Sequence, residues 1–333
     1  MTKAHHRDWG VMEALLMLVK EQGFVTTRQA AALGASANTL SRLVAGGQLV
    51  RPISCVHLPA AAWGALTPER KHALLVKGVL ADHPGWVASH HSALALSGVP
   101  LWDVPFGTVH VAGQQRNSVR RSSVHLHVLR PGDPVGEASG NRVITPGLAT
   151  LQVAARFGVT AGVVAADACL AAGLTSSTTL RRLAMSDRWR YGVAAVRLVV
   201  ALADGRAESA MESVLRSHLS DAGWGLEPQA NLGGPGAGYR ADLLVEGRVV
   251  VEYDGEEKYA GPEGHQALLA EKAREDHLRA EGYGFVRITK ARIGRPAAVR
   301  RLVARALADR GAHKAIPPSQ RGSNQRYEGG TAL

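Results

Sequence analysis

Residues Tyr239 to Tyr259, YRADLLVEGRVVVEYDGEEKY, read as a β-hairpin. Ala241, Leu243 and Val245 alternate with Arg240, Asp242 and Leu244. Glu246-Gly247 supplies the turn, and Arg248 to Asp254 is a return strand rich in β-branched residues. With a side-chain period of two, Glu252 and Asp254 project from one face of the return strand, and an antiparallel partner brings Asp242 beside them. Carboxylates crowded on one sheet face repel one another and are costly to bury, so the arrangement predicts a divalent cation. Oxygen donors at this density suit Mg²⁺ or Mn²⁺ rather than zinc, which prefers Cys and His. The alternative is that acids at an exposed hairpin edge keep the protein soluble. Against it, the run VVVEYDG reads as a buried strand.

Outward from the hairpin, SAMESVLRSHLSDAG is a helix in which Glu212 follows Ser209 by three residues. That spacing is a capping box, which by itself accounts for the glutamate; alternatively Glu212 adds a fourth acid to the sheet face. Beyond the hairpin, HQALLAEKAREDHLRAEG is a helix with Leu268 and Leu278 available for packing, and YGFVRIT is a closing strand. Helix, hairpin, helix and strand are the outline of a restriction-endonuclease-like α/β core over 205–312. Arg279 and Arg287 are candidate phosphate clamps, because guanidinium matches phosphate oxygens bidentately; the alternative is pairing with Glu275 or Glu271.

Glu212, the hairpin and EKAREDHLRAEGYGFVRIT together resemble the DUF559 family, related to the very-short-patch-repair endonuclease within the PD-(D/E)xK nuclease superfamily. The resemblance implies a metal-dependent DNA endonuclease or nickase in which Glu212, Asp242 and Glu252 hold Mg²⁺ (or Mn²⁺). Where the superfamily usually has a lysine, this chain has Asp254, the ExD form of the DUF559 group. Either Asp254 completes the metal shell, or Lys258 reaches the attacking water from the following loop. A DNA-binding domain without catalysis is the further alternative.

At the other end of the chain, GVMEALLMLVKE (10–21) predicts an amphipathic helix. Thr27 is read as the cap of a helix from Arg28 to Leu33, Gly34 as its end, and Ser36 as the cap of a helix from Ala37 to Val44. Gly46 and Gly47 stop that helix, and Leu49 to Leu58 supplies the strands of a wing. Two short helices joined by a glycine turn predict a helix-turn-helix over 1–60. Asn38, Thr39 and Arg42 then face base edges or phosphates, and Arg28 the backbone. A packing module with no ligand is the competing reading. FVTTRQAAALGASANTLSRLVAGGQLVRPISCVHL resembles the N-terminal winged-helix domain of the AbiEi-type antitoxins. That resemblance implies operator DNA as a partner, a toxin as a second one, and a non-catalytic regulator as the alternative function.

Between these ends, 61–204 predicts a small α+β middle domain with a helical connector. Ala60 to Gly64 reads as a linker, Thr67-Pro68-Glu69 opens a helix over Arg70 to Ala81, and Ser89 caps another short one. Gly107–Val111 and Val124–Leu129 are strand candidates. GQQRNSVRRSSVHLHVLR has arginines and no acid, which suits a loop on a phosphate backbone as well as a solvated one. VITPGLATLQVAARFGVTAGVVAADACLAAGL reads as helices packed closely through alanines. It resembles a VTSPxRTLxDLA-like segment of the same proteins, with Gln152 where an acid is common, so no role is transferred to it. His90 and His91 are adjacent and diverge on a helix, whereas His125 and His127 share a strand face. No third ligand is positioned by spacing, so these histidines read as structural.

The 333 residues suffice for several cores, and 46% apolar composition excludes wholesale disorder. A net charge of +11 favours a polyanionic partner, although an arginine-rich composition weakens that argument. Two cysteines predict a reducing, cytoplasmic setting rather than a disulfide framework. No apolar run approaches the roughly 18 residues of a membrane span, and MTKAHHRDWG is not followed by a signal peptide's apolar region, so neither is expected. The polar, Gly/Pro-rich stretch 313–333 predicts a disordered tail. The expected class is multidomain α+β and α/β.

Overall fold

A computed structural model describes residues 3–232, 239–254 and 272–309. Lys258, Leu268, Glu271 and the tail from residue 313 lie outside the described residues. The chain divides into two compact units, Met1–Val200 and Ala201–Leu333. It is a mixed α+β protein with several sheets. Among the described residues no helix is long and apolar enough to cross a membrane.

The first unit opens with α1 (Lys3–Gln22), β1 (Val25–Thr26), α2 (Thr27–Ala32), α3 (Ala37–Ala45), β2 (Leu49–Ile53) and β3 (Val56–Pro59). The strands form an antiparallel sheet in the order β1-β3-β2. Leu15, Val19, Val25, Ala30, Leu40 and Leu49 close a core between helices and sheet, the arrangement of a winged helix. Ser36 caps α3 as expected, accepting from Thr39 N at 3.1 Å. The cap of α2 is Thr26, not Thr27. Its Oγ1 accepts from Gln29 N at 3.1 Å while Gln29 Oε1 accepts from Thr26 N at 2.9 Å, a reciprocal capping box. Thr27 instead turns its hydroxyl to Ser54 O of the wing.

The expected linker at 60–64 is a helix, α4 (Ala60–Ala65), as befits an alanine-rich segment. It leads into α5 (Pro68–Asp82), whose N-cap Thr67 accepts from Arg70 N. Here α5 packs on the wing: a Cβ on Gly78 would lie 2.7 Å from the Val56 methyls, so only glycine permits this approach. The winged helix therefore shares a compact unit with a second, larger sheet. In that sheet β4 (Val87–Ala88), β5 (Val109–Gly113), β6 (Val119–Arg121), β7 (Val124–Val128), β8 (Val135–Ala138) and β9 (Asn141–Ile144) run in the order β6-β7-β5-β4-β9-β8, with parallel and antiparallel pairs mixed. The stretch read as an arginine loop contains β6, an exposed edge strand paired with β7. Against the sheet lies α6 (His90–Leu96), and α7 (Pro146–Phe157) packs on α6 and on α8 (Val159–Ala171). Two further helices, α9 (Ser177–Ala184) and α10 (Val193–Leu202), complete this part of the chain.

In the second unit α11 (Ala210–Ser220) precedes β10 (Leu226–Leu232), β11 (Tyr239–Val245) and β12 (Val249–Asp254). A helix over 272–280 (α12) leads to β13 (Gly284–Thr289), α13 (Lys290–Ile293) and α14 (Pro296–Ala308). The expected hairpin is β11–β12, and Glu246 (φ 52°) and Gly247 (φ 62°) turn it with the paired positive φ of a type I′ turn. The strand order is β10-β11-β12-β13, with β12 and β13 parallel. Leu278 and Tyr283 cover Leu244 and Val250, while α11 packs on α14 and on the sheet. The sequence reading missed β10, because LEPQANL lacks clean alternation and carries Gln229 at φ 54°.

Candidate functional site

The exposed face of α3 presents Asn38 and Arg42, with Thr39 half-buried against its cap. Between α3 and the wing runs a shallow cleft whose walls include Thr27, Ser41, Val44, Arg51 and His57. Arg51 sits on β2 and is exposed, so it adds a cation to the same surface. Arg28 is placed differently from expectation. Its guanidinium donates to Ala81 O, and its backbone N–H faces Asp82 Oδ1 at 3.4 Å, which ties it to the end of α5. That engagement gives Arg28 a structural role that the sequence alone did not reveal.

In the second unit the antiparallel register Leu243↔Val251, carried one step further, sets Asp242 opposite Glu252. The Asp242 carboxylate accepts from Tyr253 N at 3.0 Å, the backbone group between Glu252 and Asp254. Glu252 stands beside Arg287 in the parallel pair β12–β13. Glu212 is one turn into α11. Its backbone N–H donates to Ser209 Oγ, which is half of the expected box, but its carboxylate reaches Glu208 N at 2.9 Å and Gln229 Nε2 at 2.7 Å. Gln229 lies across from Asp242, between the register pairs Pro228↔Leu243 and Ala230↔Ala241. Sequence reasoning missed Gln229; its only signal was a polar residue amid the apolar positions of a strand. Arg279 and Arg287 both engage Glu275, at 2.7 and 3.1 Å, and both stack near Phe285. Of their two readings, pairing with Glu275 is the one this arrangement contains.

The histidines form a cluster that spacing alone did not position. The described residues hold one group of three His, Cys, Asp or Glu side chains whose ligand atoms lie within 4.8 Å of one another: His90, His110 and His127. Neither His90 nor His127 found this partner in sequence, because His110 sits on β5, parallel to β7 and far from both in the chain. His72, His91 and His125 extend the cluster through ring contacts. Burial holds all six imidazoles below the usual histidine range, pushing His72 to about 4 and both His91 and His127 to about 3.

Residues 13–53 match the family model described as "Transcriptional regulator, AbiEi antitoxin". Two curated relatives come from Mycobacterium tuberculosis: Uncharacterized protein MT2308 (strain CDC 1551 / Oshkosh) and Uncharacterized protein Rv2248 (strain ATCC 25618 / H37Rv). Each is 31% identical over 172 residues, which cover 50% of this chain and 62% of the relative. The chain thus spans less than two thirds of their length. Among solved structures, the crystal structure of the RV2827C protein from Mycobacterium tuberculosis is similar at 17% identity and a TM-score of 0.33, over 63% of this chain and 75% of that one. The AbiEi-antitoxin match is confined to residues 13–53, the segment that holds α2 and α3.

Proposed function

We propose that the chain is a DNA-binding transcriptional regulator of the AbiEi-antitoxin kind, with α3 in the major groove and a toxin as its protein partner. The match over residues 13–53 carries this reading, and the exposed Asn38 and Arg42 on α3, with Arg51 on the wing, support it. Helix-turn-helix proteins read bases from the N-terminal part of the second helix, where Asn38 sits, and hold phosphates from the wing, where Arg51 sits; Arg42 lies one turn further along the same helix. A net charge of +11 supplies the sequence-independent share of the attraction. Selection of bound duplexes from a random pool, followed by titration with Arg42→Ala, tests it. Enrichment of a defined sequence that the variant no longer prefers upholds the regulator; no enrichment and salt-insensitive binding sinks it.

A second reading rests on a separate observation, the register that sets Asp242 across from Glu252 and the bond from Gln229, on the neighbouring strand, to Glu212. In this reading the second unit is a DUF559-like domain of the PD-(D/E)xK superfamily that nicks or cuts DNA. The oxygen donors have the chemistry for Mg²⁺ or Mn²⁺, and Asp242, Glu252, Asp254 and Glu212 would hold it. Once bound, such an ion supplies neutralisation of phosphate charge and a water of lowered pKa. In the chain itself, Tyr253 N orients the Asp242 carboxylate and Gln229 orients that of Glu212. Whether these carboxylates cleave is read directly. The full chain with Mg²⁺ or Mn²⁺ is assayed on single-stranded, duplex, mismatched and branched DNA, against Asp242→Ala and Glu252→Ala. Cleavage that both variants lose upholds the second reading, and no cleavage by the parent chain leaves a binding domain.

A further inference from the structure

We propose that His90, His110 and His127 form a binding site for one divalent transition metal of the zinc class. The three residues arrive from different elements, His90 from the first position of α6, His110 from β5 and His127 from β7. One ring nitrogen of each lies within 4.8 Å of the others, and His127 Nε2 stands 3.0 Å from His110 Nδ1. Zn–N bonds of about 2.0–2.1 Å in a tetrahedron require nitrogens about 3.3–3.4 Å apart, so small rotations of these rings suffice. The His110–His127 contact is then the hydrogen bond that a metal replaces.

The groups around the rings are built to hold them. Ser89 Oγ lies 3.1 Å from His90 Nδ1, the outer partner that commonly fixes the tautomer of a ligating imidazole. Gln152 Oε1 accepts from His90 N at 3.0 Å, and Ser92 Oγ accepts from His110 N at 2.8 Å. His90 adopts φ 52°, a left-handed backbone that is strained for a histidine and aims its ring at the sheet. Apolar side chains would fill this core without such strain and without burying polar nitrogens.

Donor chemistry selects the ion. Three imidazoles with no carboxylate among them suit Zn²⁺, Co²⁺, Ni²⁺ or Cu²⁺ and disfavour Mg²⁺ and Ca²⁺. A cleft of ≈ 190 Å³ bordered by His90, His127, Arg130 and Tyr191 supplies the access path and leaves a fourth position for water or an anion.

The test uses the full chain, stripped with a chelator, dialysed and titrated with Co²⁺. Binding of one Co²⁺ per chain, with the intense visible bands of a four-coordinate nitrogen site and displacement by Zn²⁺, is expected. His110→Gln and His127→Gln should each weaken binding by about 100-fold or more. His277→Gln, at an exposed histidine outside the cluster, should leave the spectrum unchanged. Absence of the intense four-coordinate bands at saturating Co²⁺, or bands retained in both histidine variants, would each overturn the proposal. Should the variants not fold, X-ray absorption of the Zn²⁺-loaded parent chain decides it: a shell containing three imidazoles upholds the site, and an oxygen shell overturns it.

Discussion

Gln229 donates its side-chain amide to Glu212 Oε2 at 2.7 Å from a backbone held at φ 54°. Two substitutions separate the bond from the strain. Gln229→Ala removes a hydrogen bond to a charged group and keeps the left-handed backbone, so it should cost about 1.5–3 kcal/mol. Gln229→Gly removes the same bond but relieves about 1–2 kcal/mol of backbone strain, so its net loss should be the smaller. Urea midpoints of the full chain measure the difference. Equal losses for alanine and glycine would show that the backbone strain is not stored there.

The two arginines that the sequence suggested for DNA should behave differently from each other. Arg42→Ala should weaken specific DNA binding by about 1–3 kcal/mol if it reads a base, and by less if it meets only phosphate. Arg28→Ala should instead lower thermal stability, because its guanidinium holds Ala81 O at the end of α5, with a smaller change in DNA affinity. Fluorescence anisotropy on duplex DNA at two salt concentrations, alongside a melt of each variant, distinguishes these outcomes. Larger DNA losses for Arg28 than for Arg42 would reverse the docking.

The parts legible in the sequence were those whose signal is local. A hairpin with β-branched strands around Glu246-Gly247 and the Ser36 cap were set by nearest neighbours, and both stand where expected. The domain docking was not legible: the approach of Gly78 to Val56 is a long-range contact that a single glycine in a helix does not announce. Nor was the histidine cluster. Its members are brought together by parallel pairing of β5 with β7 and by the strained first residue of α6, so adjacency in sequence pointed away from the set that forms.

The alanine-rich helices α7 and α8 pack as closely as their composition suggested. A Cβ on Gly162 would lie 2.6 Å from the Ala154 Cβ and from a Val199 methyl. Gly162→Ala gains helix propensity of about 0.8–1 kcal/mol but overpacks a dry contact at a typical cost of about 1–3 kcal/mol. Net destabilisation is therefore expected. Gly162→Ala combined with Val199→Ala should recover part of it, by coupling between neighbours. A stabilised Gly162→Ala single variant, read by chemical denaturation, would show that α7 and α8 separate without cost.

Acid should unfold the first unit through its histidines. His72, His91 and His127 titrate in the native state at about 4, about 3 and about 3, depressed by burial, and His90 and His110 are lowered in the same direction. Unfolded, each returns to the ordinary value near 6.5. Between those limits the unfolded chain binds more protons than the native one, so stability rises with pH. Their contribution is fully present above pH about 6.5, erodes as pH falls below it, and is lost as pH drops through about 4 for His72 and about 3 for His91 and His127. Each titrating histidine adds about 1.4 kcal/mol per pH unit to that slope. Hydrogen exchange over residues 87–157, followed from pH 7.5 to 4.5 in chelator and corrected for the intrinsic exchange rate, should show protection collapsing in this window. A His72→Leu variant should flatten the slope by about one proton. Protection that stays level across the window would mean that these imidazoles are not buried in the neutral form.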